Sequence, residues 1–71
     1  MSLIAADLLA KNLRRIRKAR GMTREELAKA ADLGSATVAR IEKGEGTSLH
    51  ACDDLALALG VTFNELFKAG R

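Results

Sequence analysis

Apolar residues recur at helical spacing along most of the chain. Leu9, Leu13 and Ile16 lie three or four positions apart, so a helix would carry all three on one face. Comparable stripes follow, separated by short polar or glycine-containing segments. The pattern predicts five helices, at about residues 5–19, 24–31, 35–43, 49–59 and 63–69. We expect an all-α fold in which these short helices pack as a compact orthogonal bundle.

Polar residues predict where the helices begin. Thr23 precedes the second helix and Glu26 follows three residues later, which is the spacing of a capping box. Thr62 and Glu65 repeat this pattern before the fifth helix. The other expected boundary residues are Ser48 as an N-cap and Gly21, Gly44 and Gly60 as helix ends.

The second and third predicted helices are separated by a very short turn. So short a connection forces the helices to cross steeply, and Ala28 is small enough for the close contact that such a crossing needs. We expect Asp32 to take a positive φ in this turn, because Asp tolerates the left-handed region better than most residues. Gly34 is the expected cap of the third helix. The arrangement predicts a helix-turn-helix, whose second helix can enter the major groove of DNA.

The composition indicates one small domain, residues 1–71. Apolar residues make up 48% of the 71, but aromatic residues are limited to two Phe, so the core must be aliphatic. The fourth helix is expected to bury one face of this kind, formed by Leu49, Cys52, Leu55, Ala56 and Leu59.

Several features indicate a cytoplasmic protein. Cys52 is the only cysteine, so it has no partner for an internal disulfide, as is usual in a reducing compartment. The sequence contains neither an apolar run that could span a membrane nor a signal-peptide pattern.

Positive charge is concentrated in the first part of the chain. Residues 1–44 hold ten Lys or Arg and five Asp or Glu, a net charge of +5, whereas residues 45–71 have a net charge of −2. This asymmetry suits a domain that turns one face to a polyanion. Most of the cations in the first helix also fit an ordinary solvated face, although their summed field can speed association with DNA.

Groups with catalytic or metal-binding side chains are present but poorly arranged for chemistry. His50 and Cys52 lie two positions apart on a predicted helix, so they point in different directions and cannot share one metal ion. Asp53 and Asp54 are adjacent and diverge in the same way. We therefore predict no enzyme activity, no metal site and no cofactor, and a core position for Cys52.

The spacing of these residues resembles the lambda-repressor-like helix-turn-helix family, often called the Xre/Cro family. The resemblance extends from about Leu9 to Phe67, nearly the whole chain. The matching positions are Leu13, Ile16, Arg17, Gly21, Met22, Thr23, Glu26, Leu27, Ala28, Leu33, Val38, Arg40, Ile41, Glu42, Gly44, Ser48, Leu49, Ala56, Leu59, Gly60 and Val61.

The resemblance implies which residues would contact DNA. The outward face of the third helix would meet base edges, and phosphates would be bound at the start of the second helix and the end of the third. Arginine at position 40 can donate to guanine, hydroxyls can donate or accept, and a methyl group can contact thymine. The implied base-reading residues are Ser35, Ala36, Thr37 and Arg40, and the implied phosphate-binding residues are Thr23, Arg24 and Lys43. An ordinary exposed helix face is the alternative.

The resemblance also implies one structural ion pair and one association surface. Arg17 and Glu42 would form a partly buried pair that joins the first and third helices. Relatives often dimerise through the fourth and fifth helices, where Leu57 replaces a residue that is usually polar. Phe63 and Phe67 complete this expected dimer surface, although chance exposure of Leu57 and burial of Phe67 in the core are the alternative interpretation.

The predicted function is sequence-specific binding of double-stranded DNA by a homodimeric transcriptional regulator, acting as a repressor on an inverted repeat. A phage-type repressor and a restriction–modification controller fit this prediction equally well. No small-molecule ligand is predicted. The alternative is a protein-interaction module, such as an antitoxin-like or adaptor subunit that requires a partner protein.

Overall fold

The computed structural model describes residues 1–69, and within them the chain forms five helices. They are α1 (Leu3–Ala19), α2 (Arg24–Ala30), α3 (Ser35–Glu42), α4 (Leu49–Leu59) and α5 (Phe63–Leu66). Residues 1–69 contain no strand, and the predicted all-α class is confirmed. Gly70 and Arg71, which the predicted domain also includes, lie outside the described residues. None of the helices between residues 1 and 69 has the length and apolar character required to cross a membrane.

Hydroxyl side chains cap most of these helices. Thr23 and Glu26 form the predicted capping box at the start of α2. Before α5 the predicted box is only half present, because Thr62 accepts a hydrogen bond from the backbone of Glu65 and the reciprocal bond is not formed. Ser2 caps α1 by accepting from Ala5 at 3.1 Å, so this helix begins at Leu3 and not at about residue 5.

The predicted helix ends are also slightly corrected. The second and third helices each end one residue before the predicted boundary, and the fifth is a single turn that ends at Leu66 instead of about residue 69. Gly60 ends α4 in the left-handed conformation with φ of 70°, a conformation that favours glycine.

The turn between α2 and α3 has the predicted geometry. Asp32 has φ of 58°, and no other non-glycine residue among the described ones has a positive φ. The backbone N–H of Leu33 donates to the carbonyl of Ala28 at 2.8 Å, which closes the turn. Ala28 is buried, and the two helices pack against each other directly. The small side chain at this position therefore allows the helices to approach closely.

Aliphatic side chains from all five helices form one core. Leu9, Leu13 and Ile16 contribute the predicted stripe from α1. One prediction about α4 is wrong, because Leu49 is 68% exposed. Leu49 occupies the first position of α4, beyond the packed side chains. The remaining core side chains, between residues 27 and 66, are Leu27, Ala28, Ala31, Val38, Ile41, Cys52, Leu55, Ala56, Leu59 and Leu66.

A buried amide joins α1 to the segment after α5. Asn12 is 5% exposed, and its Nδ2 donates to the carbonyls of Leu66 and Lys68 at 2.9 and 2.8 Å. Arg15 donates to the Oδ1 of Asn12. The carbonyls of Leu66, at the end of α5, and of Lys68, after it, thus bond to a side chain of α1.

Candidate nucleic-acid interface

Helix α3 has one face in the core and one face in solvent. Val38 and Ile41 are buried. On the opposite side, three of the four predicted base-reading residues are exposed and Thr37 is half-buried; the exposed ones are Ser35, Ala36 and Arg40. Within residues 1–69, Arg40 forms no ion pair. The helix therefore presents two hydroxyls, a methyl group and an unpaired guanidinium on adjacent turns.

Glu42 and Arg17 form a buried ion pair between α3 and α1. Arg17 Nε lies 2.7 Å from Glu42 Oε2, and Arg17 Nη2 lies 3.1 Å from Glu42 Oε1. The third donor of this arginine, Nη1, bonds to the carbonyl of Met22 at 2.8 Å. The two side chains are 8% and 1% exposed. The pair holds the last turn of α3 and the segment before α2 against α1.

Two further arginines bond to Glu42. Arg24, at the first position of α2, donates from Nε to Glu42 Oε1 at 3.1 Å. Arg14 donates from Nη1 to the backbone carbonyl of Glu42 at 2.9 Å. We refer to Arg14, Arg17, Arg24 and Glu42 together as the Glu42 cluster. It connects the three helices that form and support the helix-turn-helix.

Sequence reasoning missed these two contacts. Arg14 lies one turn before Arg17 on the same face of α1, so helical periodicity could have placed it near Glu42. No local spacing relates Arg24 to Glu42, because that contact exists only once α2 and α3 have folded against each other.

The cluster shifts the pKa values of both buried partners. Burial by itself raises the pKa of Glu42, but the hydrogen bonds and charges of Arg17 and Arg24 together outweigh it, so the pKa lies below its usual value. The hydrogen bond to Glu42 raises the pKa of Arg17, and burial opposes this effect. Both groups are therefore charged at neutral pH, and the ion pair is complete.

The other two predicted phosphate ligands lie at the ends of the helix-turn-helix. The backbone N–H of Thr23 is occupied by Glu26 Oε1 at 2.8 Å, and its hydroxyl accepts from the backbone of Glu26 at 3.0 Å. Within residues 1–69 the hydroxyl hydrogen of Thr23 has no acceptor, so the hydroxyl can still donate. Lys43 is exposed as the C-cap of α3 and forms no ion pair within residues 1–69.

A second candidate surface is apolar. Leu57 is 84% exposed on α4, and Leu3 and Ile4 on α1 are exposed to a similar degree. Phe63 and Phe67 are half-buried, with ring centroids 5.1 Å apart. An open groove of about 410 Å³ lies between the first turn of α1, the start of α4 and α5.

The groove includes only part of the predicted dimer surface. Both phenylalanines line it together with Met1 and Leu49, but Leu57 does not. We call this feature the apolar groove.

The side chains considered for chemistry lie in different environments. Cys52 is fully buried, as predicted, and burial raises the pKa of its thiol, with a smaller contribution from the charge of Asp53. His50 is exposed and lies 3.6 Å from Asp54. Residues 1–69 hold no group of three or more side chains placed to bind a metal ion.

Comparisons with known proteins agree with this geometry. A family described as helix-turn-helix matches residues 13–66. The restriction-modification controller protein C.AhdI from Aeromonas hydrophila is similar in structure, with a TM-score of 0.83 and 33% identity over 87% of this chain and 96% of that one. The hypothetical transcription factor NHTF from Neisseria has a TM-score of 0.86 and 31% identity, over 90% of this chain and 75% of that one. No curated protein matches the chain in sequence.

Proposed function

Because the chain belongs to the helix-turn-helix family of lambda-repressor-like DNA-binding regulators, we propose that it is a homodimeric transcriptional regulator that binds an inverted-repeat DNA sequence. The family consists of DNA-binding regulators and not of enzymes. The observation that carries the proposal is the solvent face of α3, which presents hydrogen-bonding groups beside a helix junction held by buried charges. We also propose that it acts in the cytoplasm, because a lone cysteine suits a reducing compartment.

Base recognition is assigned to the exposed face of α3. Arg40 is the residue with the longest reach, and its guanidinium matches the O6 and N7 acceptors of guanine. Ser35 and Thr37 supply hydroxyls that donate or accept. Ala36 offers a methyl group to thymine. Because each protomer has only one long donor, it contacts few base edges directly. DNA shape and the second protomer contribute the remaining specificity.

Phosphate binding is assigned to both ends of the helix-turn-helix. Arg24 and Lys43 bring full positive charges, and Thr23 can donate its hydroxyl hydrogen. Such contacts set the register of a protein on the duplex without reading its sequence. The net charge of +5 over residues 1–44 supports this assignment because it attracts the DNA backbone.

Dimerisation is assigned to the end of the domain that carries Leu57, Phe63 and Phe67. An exposed leucine on α4 and a groove lined by both aromatic rings support this assignment. A two-fold axis there would place two copies of α3 in successive major grooves, about 34 Å apart.

The test is selection of binding sites from a random duplex library at near-physiological salt. We expect an enriched inverted repeat whose half-sites are centred about one helical turn apart. Arg40→Ala should relax one base position in each half-site and cost ~1–3 kcal/mol of binding energy on the selected duplex. Lys18→Ala is the matched control, because it removes an exposed cation of α1 and should leave the selected motif unchanged. Absence of enrichment, with binding that disappears steeply as salt rises, would contradict specific recognition.

Among regulators, similarity favours a restriction–modification controller. The match to C.AhdI covers 96% of that chain, so the comparison involves nearly its whole length. We propose this role ahead of a phage-type repressor. A binding site upstream of linked restriction and modification genes would support it.

The exposed apolar side chains favour a second candidate, a protein-interaction module. An antitoxin-like or adaptor subunit would use Leu57 and Phe63 to bind a different protein. Co-purification of a stoichiometric partner, together with failure to enrich any duplex, would support this candidate over the first.

A further inference from the structure

We propose that Glu42 is a positioning residue for DNA binding, because it holds the guanidinium of Arg24 in the orientation that binds a backbone phosphate. The inference rests on the proposed function and adds to it a role for a side chain that cannot itself reach DNA. Glu42 is 1% exposed, whereas Arg24 is 50% exposed. The buried carboxylate would therefore act on the ligand only through the arginine.

The carboxylate of Glu42 is itself held rigidly. Arg17 bonds to both of its oxygens, at 2.7 and 3.1 Å, and is anchored in turn by the carbonyl of Met22. Glu42 Oε1 is shared between Arg17 Nη2 and Arg24 Nε, each at 3.1 Å. Because the carboxylate is buried and accepts two hydrogen bonds from Arg17, it provides a fixed acceptor for the half-exposed side chain of Arg24.

The contact leaves the phosphate-binding edge of Arg24 free. Only Nε bonds to Glu42, and within residues 1–69 the two terminal nitrogens of Arg24 form no hydrogen bond. Two parallel N–H groups at the end of a planar guanidinium match two oxygens of a phosphate. Two guanidiniums also share a single carboxylate, so the cluster keeps excess positive charge for an anion.

An alternative is that Glu42 merely neutralises Arg24. The two interpretations make opposite predictions for removal of the carboxylate charge. If Glu42 opposes DNA electrostatically, Glu42→Gln should tighten binding; if it orients Arg24, the same change should weaken it.

Charge-conserving substitutions separate orientation from charge in a second way. Lysine at position 24 keeps the charge, but its single ammonium nitrogen has neither a separate Nε–H for Glu42 nor a parallel pair of N–H groups for a phosphate. Lys18→Arg is the matched control, because Lys18 is exposed, has no ion-pair partner within residues 1–69 and is not a proposed DNA contact.

The experiment measures the Kd for the duplex selected by the wild-type protein, at a temperature where circular dichroism shows each variant to be folded. We expect Arg24→Lys and Arg24→Ala each to weaken binding about tenfold, and Lys18→Arg to leave Kd within about twofold of wild type. Glu42→Gln should also weaken binding about tenfold, but should have no further effect in the Arg24→Ala background. A general loss of structure would weaken binding in both backgrounds.

The outcomes separate the inference from the function on which it rests. If the wild-type protein selects a duplex but Arg24→Lys binds like wild type, or Glu42→Gln binds more tightly, the positioning role is wrong and the proposed function stands. If the wild-type protein selects no duplex, the proposed function fails and the positioning role fails with it. Should Glu42→Gln not fold, the comparison of Arg24→Lys with Lys18→Arg still tests the role, because an Arg24→Lys variant that binds like wild type would overturn it.

Discussion

The Glu42 cluster buries charged side chains, whereas the apolar groove leaves apolar side chains exposed in the same small domain. In the cluster, charged side chains from three helices are drawn inward and bonded to one another. In the groove and its surroundings, apolar side chains such as Met1 and Leu49 remain at the surface. Among the described residues, no buried side-chain nitrogen or oxygen lacks a hydrogen-bond partner. The buried polar groups therefore have their hydrogen-bond partners within the monomer, whereas these apolar side chains remain exposed to solvent.

The difference indicates that the two regions have different roles. Reading base edges needs side chains held to within a fraction of an ångström, and bonds from three arginines to Glu42 supply that rigidity at the junction of α2 and α3. Association with a second molecule needs exposed apolar surface from which water is released on binding, and Leu57 and the groove provide such a surface. Changes in the first region should thus alter the folding of the monomer, and changes in the second its association.

The largest expected effect comes from removing the shared carboxylate. Glu42→Ala leaves Arg17 buried without its partner, and loss of one member of a buried pair costs ~3–5 kcal/mol. Thermal melting followed by circular dichroism should show a fall in Tm of more than about 10 °C.

Arg24→Ala is the control for this change. It removes a half-exposed partner and leaves the buried pair intact, so its cost should be at most ~1 kcal/mol. Equal melting temperatures for Glu42→Ala and wild type would show that the cluster does not stabilise the fold.

Features set by neighbouring residues are easier to predict from the sequence than contacts between distant residues. Helical periodicity and capping residues are local signals, and they predicted the turn at Asp32, the capping box at Thr23 and the start of α4 after Ser48. The contacts of Arg24 and Asn12 join positions that are distant in sequence. Nothing near either residue indicates its partner, so these contacts could not be predicted without the fold.

Exposure near helix ends is difficult to predict for a related reason. Leu49 shares a helical face with Cys52 and Leu59, so periodicity assigns it to the core. It lies in the first turn of α4, where no neighbouring helix covers it, and it lines the apolar groove instead. Periodicity predicts the direction in which a side chain points, but it does not predict where the neighbouring helix stops.

Acid should lower the stability of the protein by acting on Glu42, but by less than Glu42→Ala does. A protonated carboxyl keeps its shape and some of its hydrogen bonds. The pKa of Glu42 is lowered in the folded protein, so its contribution to stability is complete above the usual value of 4.5. That contribution is lost as pH falls through the lower folded pKa.

Urea unfolding of the wild-type protein between about pH 6 and pH 3 should therefore show a progressive loss of stability. Other carboxyl groups also titrate in this range, so the comparison with Glu42→Gln isolates the contribution of Glu42. The difference in unfolding free energy between the two proteins should shrink as pH falls. A constant difference would mean that Glu42 does not titrate differently on folding.

A moderate effect is expected where α1 meets the segment after α5. Asn12→Ala removes two hydrogen bonds to backbone carbonyls, and a buried acceptor left without a partner costs ~1–3 kcal/mol. Urea unfolding measures this loss, and hydrogen exchange should show faster exchange in α5. Asn64→Ala is the control, because Asn64 is exposed and should change stability by less than about 0.5 kcal/mol. Equal effects of the two substitutions would contradict a structural role for Asn12.

Leu57→Lys should have the smallest effect on monomer stability and the largest effect on dimer affinity. Because Leu57 is 84% exposed, the change should alter monomer stability by less than about 0.5 kcal/mol. In a dimer it would bury an unpaired charge, so sedimentation should show the dimer Kd rising at least about tenfold. Leu3→Lys is a closely matched control, since Leu3 is 87% exposed but lies on α1. Dissociation by Leu57→Lys alone would assign the interface to α4, and dissociation by Leu3→Lys alone would assign it to α1. A protein that is monomeric at high concentration and on DNA would contradict the proposed dimer.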